Sequence, residues 1–215
     1  MSRAMAANPR TDRMSADHDD LNTADRILDT AEALAQTRGF NGFSYAHIAA
    51  ELGITKASLH YHFRGKAELG GALIARYSER FADALRAIDA DGGDARDKLN
   101  AYAALYSGVL DGGRMCLCGM LAAEYETLPK PMGEAIVRFF DANHAWLTHL
   151  LEAGRVDGTL EFEGDPSEGA QAILGGLEGA LLVARPYGDR ARFDIAARRL
   201  LASFAPTDAM PRAGR

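Results

Sequence analysis

Residues 45 to 59, YAHIAAELGITKASL, limit the fold more than any other stretch of this 215-residue chain. Two short helices that cross beside a tight turn need a small side chain at the crossing and, usually, a glycine in the turn. Counting Tyr45 as the first position, Ala49 is the fifth and Gly53 the ninth. Ile48, Leu52, Ile54 and Leu59 take the fourth, eighth, tenth and fifteenth, the inward-facing positions of a helix-turn-helix. Agreement at all of these positions together is a much stronger signal than a lone glycine. With Leu59 and Phe63 inward, the 3.6-residue period turns Lys56, Ala57, His60 and Tyr61 to the opposite side.

That outward face has the chemistry of a DNA reader. Lys56 offers donors to guanine acceptors, Ala57 fits against a thymine methyl, and His60 and Tyr61 add donors and aromatic edges. Thr55, Ser58, His62 and Lys66 are placed for phosphates, with Ser44 and Tyr45 adding donors at the positive end of the preceding helix. The competing reading is a solvated polar face.

Apolar periodicity extends the helical pattern along the chain. Ile27, Leu28, Ala31, Leu34 and Ala35 form one stripe, with Thr23 as the expected cap, Gly39 as the stop, and Phe40 and Phe43 anchoring the turn. Ser44 is placed to cap 45–52 and Thr55 a third helix, and a long fourth starts near Lys66. Further helices are expected at about 94–111, 116–127, 131–154, 167–184 and 190–204, about nine in all. The segment VDGTLEFEGDPSEG reads as a loop in which TLEF could be briefly extended. Residues 1–20 lack this periodicity and are expected to be a mobile tail, its Arg3, Arg10 and Arg13 within reach of a minor groove but diluted by four aspartates. The expected organisation is therefore all-α: a three-helix head over 21–67, a helical effector-binding and dimerisation domain over 68–205, and a second tail over 206–215.

A net charge of -6 argues at first against a nucleic-acid partner. Its distribution removes the objection. Residues 21–67 carry Arg26, Arg38, Lys56, Arg64 and Lys66 against Asp25, Asp29, Glu32 and Glu51, whereas the region after them holds 16 basic and 22 acidic residues. The two cysteines, Cys116 and Cys118, are too few and too close for a disulfide framework, which fits a reduced, cytoplasmic setting. No signal peptide or membrane span is expected, because the longest apolar segment, AILGGLEGALLVA, is interrupted by Glu178.

The run GFNGFSYAHIAAELGITKASLHYHFRGKAEL closely resembles the TetR family of bacterial transcriptional regulators over residues 22–70. His60 stands where that family most often has tyrosine, and Gly65 where it often has Ser or Asn. The resemblance implies a homodimer with two DNA-binding heads and a larger C-terminal domain for a small molecule. It also implies a repressor released from a palindromic DNA operator when the effector arrives, with no catalytic residues and no cofactor. A second segment, RMCLCGMLAAEYETLP, looks like the start of the sixth helix in one subgroup of the family. There, a cysteine matching Cys116 responds to electrophiles, while Cys118 has no regular counterpart.

For Cys116 one reading is a thiolate at a helix N-terminus with a lowered pKa, helped by Arg114. A buried cysteine acting as a small apolar side chain is the alternative. Tyr102, Tyr106, Met115, Met120, Phe139, Phe140, His144 and Trp146 are candidates to line an effector pocket, or else ordinary core. Cys116 and Cys118 with His144 or His149 do not match a zinc spacing, and no metal is expected. Two apolar stripes, Ala170, Leu174, Leu177 and Leu181 beside Gly175 and Gly179, and then Phe193, Ala197, Leu200 and Phe204, suggest that the last two long helices pair with their copies in a dimer; intramolecular packing is the alternative. Two other functions stay open at this level. One is an enzyme using Cys116 with a histidine base, for which no motif supplies an oxyanion site. The other is a helical adaptor whose head binds protein.

Overall fold

A computed structural model of the chain describes residues 9–110 and 112–206, with backbone only over 9–21. Among these residues the regular structure is helical throughout. The nine α-helices are α1 (Pro9–Arg38), α2 (Tyr45–Leu52), α3 (Lys56–His62), α4 (Lys66–Ala90), α5 (Ala95–Leu110), α6 (Leu117–Ala122), α7 (Lys130–Asp157), α8 (Pro166–Ala184) and α9 (Arg190–Leu201). Short 3-10 turns follow α6 (Tyr125–Thr127), α8 (Arg185–Tyr187) and α9 (Ala202–Phe204). The all-α expectation holds. TLEF forms no strand; its backbone makes one bond to the 3-10 turn after α9, from Glu161 N to Phe204 O at 3.0 Å.

The start of α1 differs from expectation. Thr23 lies inside the helix rather than at its cap, and residues 9–20, expected as mobile tail, continue it toward the N-terminus. Once a helix is nucleated, each further residue adds a hydrogen bond for little extra entropy, so propagation does not require an apolar stripe. The remainder of the two expected tails, residues 1–8 and 207–215, lies outside the described residues.

In the head, α1, α2 and α3 close around Ile27, Ala31, Leu34, Ile48, Ala49 and Leu59, sealed by Phe40, Phe43 and Phe63. Ile48 and Leu59 are fully buried, whereas Leu52 and Ile54 are only half-buried at the edge of this core. Gly53 ends α2 in the left-handed region at φ 67°, a conformation that disfavours a β-carbon, which is why the turn carries glycine. The Thr55 side chain accepts from Ser58 N at 3.1 Å and so caps α3.

The head sits on α4, which runs on into the body and buries Leu69, Leu73, Ile74, Tyr77, Phe81 and Leu85. An ion network ties α1 to α4: Arg76 reaches Asp29 at 2.9 Å and Glu32 at 3.3 Å, and Arg80 also pairs with Glu32. In the body, α8 packs between α7 and α9. Gly176 allows close approach of α9, since a β-carbon there would lie 2.6 Å from Leu200 Cδ2. The stripes assigned from sequence to a dimer contact are used here inside the chain: Ala170, Leu174, Leu177 and Leu181 of α8 and Phe193 and Ala197 of α9 are buried core, as is Phe204. An amphipathic helix buries its apolar stripe against the nearest element of its own chain first.

Candidate nucleic-acid interface and buried thiol cluster

On the head, Lys56, Ala57, His60 and Tyr61 share the open side of α3, and Tyr61 is 73% exposed. The Tyr61 ring meets His62 edge to face, with centroids 5.1 Å apart, so the two side chains stand as a pair. His60 lies against the Tyr45 ring at 4.9 Å, and its Nδ1 is 3.2 Å from Arg64 O, which leaves Nε2 for an outside partner. Ser58 is half-buried beside the cap, and Ser44 sits at the start of α2 with its amide donating to His47 Nδ1 at 3.0 Å. Ser44, Lys56 and His60 rim a concavity of about 330 Å³, a shape and charge that suit a backbone phosphate.

Two of the residues chosen from sequence turn out to hold the head together. The Tyr45 ring is buried and its hydroxyl donates to Phe63 O at 3.0 Å, fixing the end of α3 to the start of α2. Burial raises its pKa to about 12. The Lys66 ammonium donates to the carbonyls of Phe40 and Phe43 and lies over both rings, 4.6 and 4.4 Å from their centroids. Desolvation lowers its pKa, with Glu124 opposing that shift. Both residues are contiguous in sequence with the DNA-facing set, but the 3.6-residue period and the turn direct their polar ends inward.

The body holds the second cluster. Cys116 caps α6 and is 1% exposed; Cys118 is fully buried. The Cys116 Sγ accepts from Tyr77 Oη and from Gly119 N, each at 3.5 Å, and its thiol faces the Glu178 carboxyl. Burial pushes the Cys116 thiol far above its usual range, and the neighbouring Glu178 and Cys118 push it the same way, outweighing the Gly119 amide. Cys118 is raised by two causes, burial and then Glu178. These shifts run opposite to a lowered thiol pKa and agree with the other reading, a buried cysteine acting as a small apolar side chain. Arg114 is exposed at the loop surface, and a one-turn helix end cannot offset full desolvation of a charged sulfur. A protonated, enclosed thiol is a poor nucleophile, and its described polar partners include no histidine.

Glu178 is the residue that sequence reasoning passed over. It shares the spacing of Leu174 and Leu181 on α8, so its side chain turns inward with theirs. Its carboxyl lies directly over Gly119 of α6, where any β-carbon would collide with it. Oε1 is buried without a hydrogen-bond partner among the described residues. Burial accordingly lifts the Glu178 pKa to about 7, with the Cys116 contact acting in the other direction. The one signal in the sequence was a charge inside an otherwise apolar segment.

The aromatic candidates divide between core and cavity wall. Tyr102 and Tyr106 are almost fully enclosed and share a 3.0 Å hydroxyl contact, and Tyr102 Oη donates to Asn143 Oδ1 at 3.1 Å. Trp146 stacks on Tyr102 at 5.5 Å while its Nε1 donates to Asp89 at 2.9 Å. Phe139 packs against Phe81 and Tyr77, and also forms part of the wall of an apolar groove of about 390 Å³ between α4 and α7, beside Arg138. A second cavity of about 500 Å³ lies between α7 and α8, lined by Phe140, Asp141, His144, Leu174, Gly175 and the Glu178 stem. His144 Nε2 is 3.0 Å from Ser167 O, and His149 pairs with Glu152 at 3.4 Å, so neither histidine is directed at the cysteines. Among the described residues no helix is long and apolar enough to cross a membrane.

A rigid three-helix head with a polar recognition helix, carried by an all-helical body, defines a helix-turn-helix DNA-binding regulator. Comparison with known proteins narrows this. Residues 27–73 match "Bacterial regulatory proteins, tetR family" and residues 83–200 match "Tetracyclin repressor-like, C-terminal domain"; the chain belongs to the TetR family. It is 29% identical over 175 residues to the HTH-type transcriptional repressor NemR of Escherichia coli K12, covering 78% of this chain and 86% of that one. It is 28% identical over 155 residues to the transcriptional regulator AcuR of Cereibacter sphaeroides, covering 69% of each. Among solved structures, a TetR-family regulator from Agrobacterium tumefaciens superposes with a TM-score of 0.84 at 31% identity, covering 87% of this chain and all of that one. The reduced form of E. coli NemR gives 0.74 at 27% identity, with 87% and 100% coverage.

Proposed function

We propose that the chain acts as a homodimeric repressor in the cytoplasm, bound to a palindromic operator and released from it by a small molecule. In this reading the two α3 helices enter successive major grooves about 34–36 Å apart. The carrying observation is the exposed set Lys56, Ala57, His60 and Tyr61 on a helix whose other side is locked into the head core by Leu59. Ser44, Thr55, Ser58 and His62 flank it as phosphate contacts. Support for a dimer comes from the open side of α8 and α9, where Leu182, Val183 and Ile195 are 59%, 64% and 61% exposed. On the same α8, a β-carbon added at Gly175 or Gly179 would meet nothing within 4 Å among the described residues, and both glycines favour close approach of a second α8. The face differs from the stripes suggested by sequence, but the helices are the same two.

Release follows if the effector binds more tightly to an arrangement in which the head spacing no longer fits the duplex. The cavity between α7 and α8 and the groove between α4 and α7 have room for such a molecule. The enclosed, protonated state of Cys116 and Cys118 favours reversible binding over thiol chemistry as the primary signal. The test is selection of duplexes from a random library by the purified protein, with sedimentation to give its mass. The expected result is a palindromic consensus bound by a dimer, weakening steeply with salt. A complex without sequence preference, or selection by a monomer, overturns the proposal.

A further inference from the structure

We infer that Glu124 is the positioning residue that sets the angle of the DNA-binding head on the body, and that it ties the head to the segment lying under Glu178. The inference rests on the DNA-binding role of the head. Glu124 follows α6 and reaches across to the turn between α1 and α2. Its Oε2 accepts from Phe40 N at 2.6 Å, and both of its oxygens are 3.3 Å from Asn41 N. Beside it, Asn41 Nδ2 donates to Thr127 Oγ1 at 2.8 Å, and Thr127 Oγ1 donates back to Glu124 O at 2.8 Å. Gly39 makes room for the carboxylate: at φ +81° a β-carbon would stand 2.6 Å from Glu124 Oε1.

The turn is thus held from two directions. A carboxylate of the body takes its amides, while the Lys66 ammonium at the start of α4 takes the carbonyls of Phe40 and Phe43. Charge-assisted bonds to backbone are the strong class, and those from Glu124 to Phe40 and Asn41 cross 84 and 83 positions of sequence. Two further bonds join the same parts, Met115 N to Gln36 O at 3.2 Å and Arg185 Nη2 to Thr37 O. At the other end of the same short segment, Gly119 lies against the Glu178 carboxyl, and Cys116 begins it. A displacement of α6 at Gly119 therefore carries Glu124 with it, and Glu124 turns the head.

The experiment needs no effector. Gly119→Ala drives a methyl against Glu178 and displaces α6; Glu124→Ala removes the tie; the double variant completes a cycle on the operator selected by the wild type. Amide exchange at Phe40 and Asn41 is expected to accelerate about 10-fold or more in Glu124→Ala, while Leu147 and Leu151 in the body keep their protection. Glu124→Gln, which keeps acceptor oxygen, retains most of the protection, and Glu126→Ala, on the exposed neighbour, changes nothing. Gly119→Ala is expected to weaken operator binding about 5-fold or more in the wild type and less than about 2-fold in the Glu124→Ala background. Duplex libraries with varied half-site spacing should give a broader distribution for Glu124→Ala than for the wild type. Additive effects in the cycle, an inert Gly119→Ala, or unchanged exchange and spacing in Glu124→Ala overturn the inference. A wild type that selects no operator overturns the DNA-binding role itself and is recognised as such before any variant is made.

Discussion

The head and the thiol cluster use similar residue types in opposite ways. On α3, polar side chains within a few positions of one another stand outside a small core, where water already satisfies them and a duplex can replace that water. Around Cys116 the polar groups come from α4, α5, α6 and α8 and lie inside, where each must find a partner in the protein or remain neutral. Tyr77, Tyr102, Cys116 and Glu178 are separated by 14 to 62 positions between successive members. Exposure therefore decides what a polar cluster does: outside, charge is available for recognition, while inside, desolvation holds acids and thiols protonated.

Removing packing from the inside cluster challenges this contrast most severely. Tyr102→Ala is expected to destabilise the fold by about 3–5 kcal/mol in denaturant unfolding, because an enclosed ring is lost and the buried Asn143 Oδ1 loses its donor. The protein that remains folded should bind operator with unchanged affinity. The converse change, Lys56→Ala with Tyr61→Ala, should weaken operator binding by about 2–4 kcal/mol in fluorescence anisotropy while unfolding stays within about 0.5 kcal/mol of wild type. If the double variant unfolds instead, the α3 face is not the open surface described.

Glu178 offers a pH test of the inside cluster. Its folded pKa of about 7 stands above the ordinary value of 4.5, so the folded state holds a proton that the unfolded state has released between these values. Stability therefore falls as pH rises from about 4.5 to about 7 and is flat beyond. Glu178→Gln should stabilise the protein by about 1–3 kcal/mol at pH 8, with the gain vanishing below pH 4.5, as read from paired melting curves. The smallest effect separates two lysines that look alike in sequence. Lys66→Met should destabilise the head by about 1–2 kcal/mol by leaving two carbonyls without their donor. Lys56→Met should leave stability unchanged and lower the salt dependence of operator binding by about one ion.

Much of the head could be read in advance because its determinants are local. Ala49, Gly53 and Leu59 fix the crossing, the turn and the inward face through spacing alone, and Lys56 to Tyr61 follow from the helical period. Tyr45 and Lys66 have structural partners that the sequence did not show, for a reason equally physical: the period gives the direction of a side chain on its own helix but not the carbonyls waiting for it on another. Helix bounds in the body were close except at 116–127, where α6 stops at Ala122 and a separate 3-10 turn covers Tyr125–Thr127, while the extended start of α1 was missed because propagation leaves no apolar pattern.

The order of helices, the outward direction of Lys56, Ala57, His60 and Tyr61 and the family likeness are properties of contiguous residues, and the amino-acid sequence settles them unaided. It took the folded arrangement to make Cys116 a protonated thiol beside Glu178, to turn Tyr102 and Tyr106 into core, and to bring Glu124 onto the turn at Phe40 and Asn41. Each of these depends on burial and on partners tens of residues away, and the low polarity that raises a pKa or strengthens a hydrogen bond exists only after the chain has closed around them.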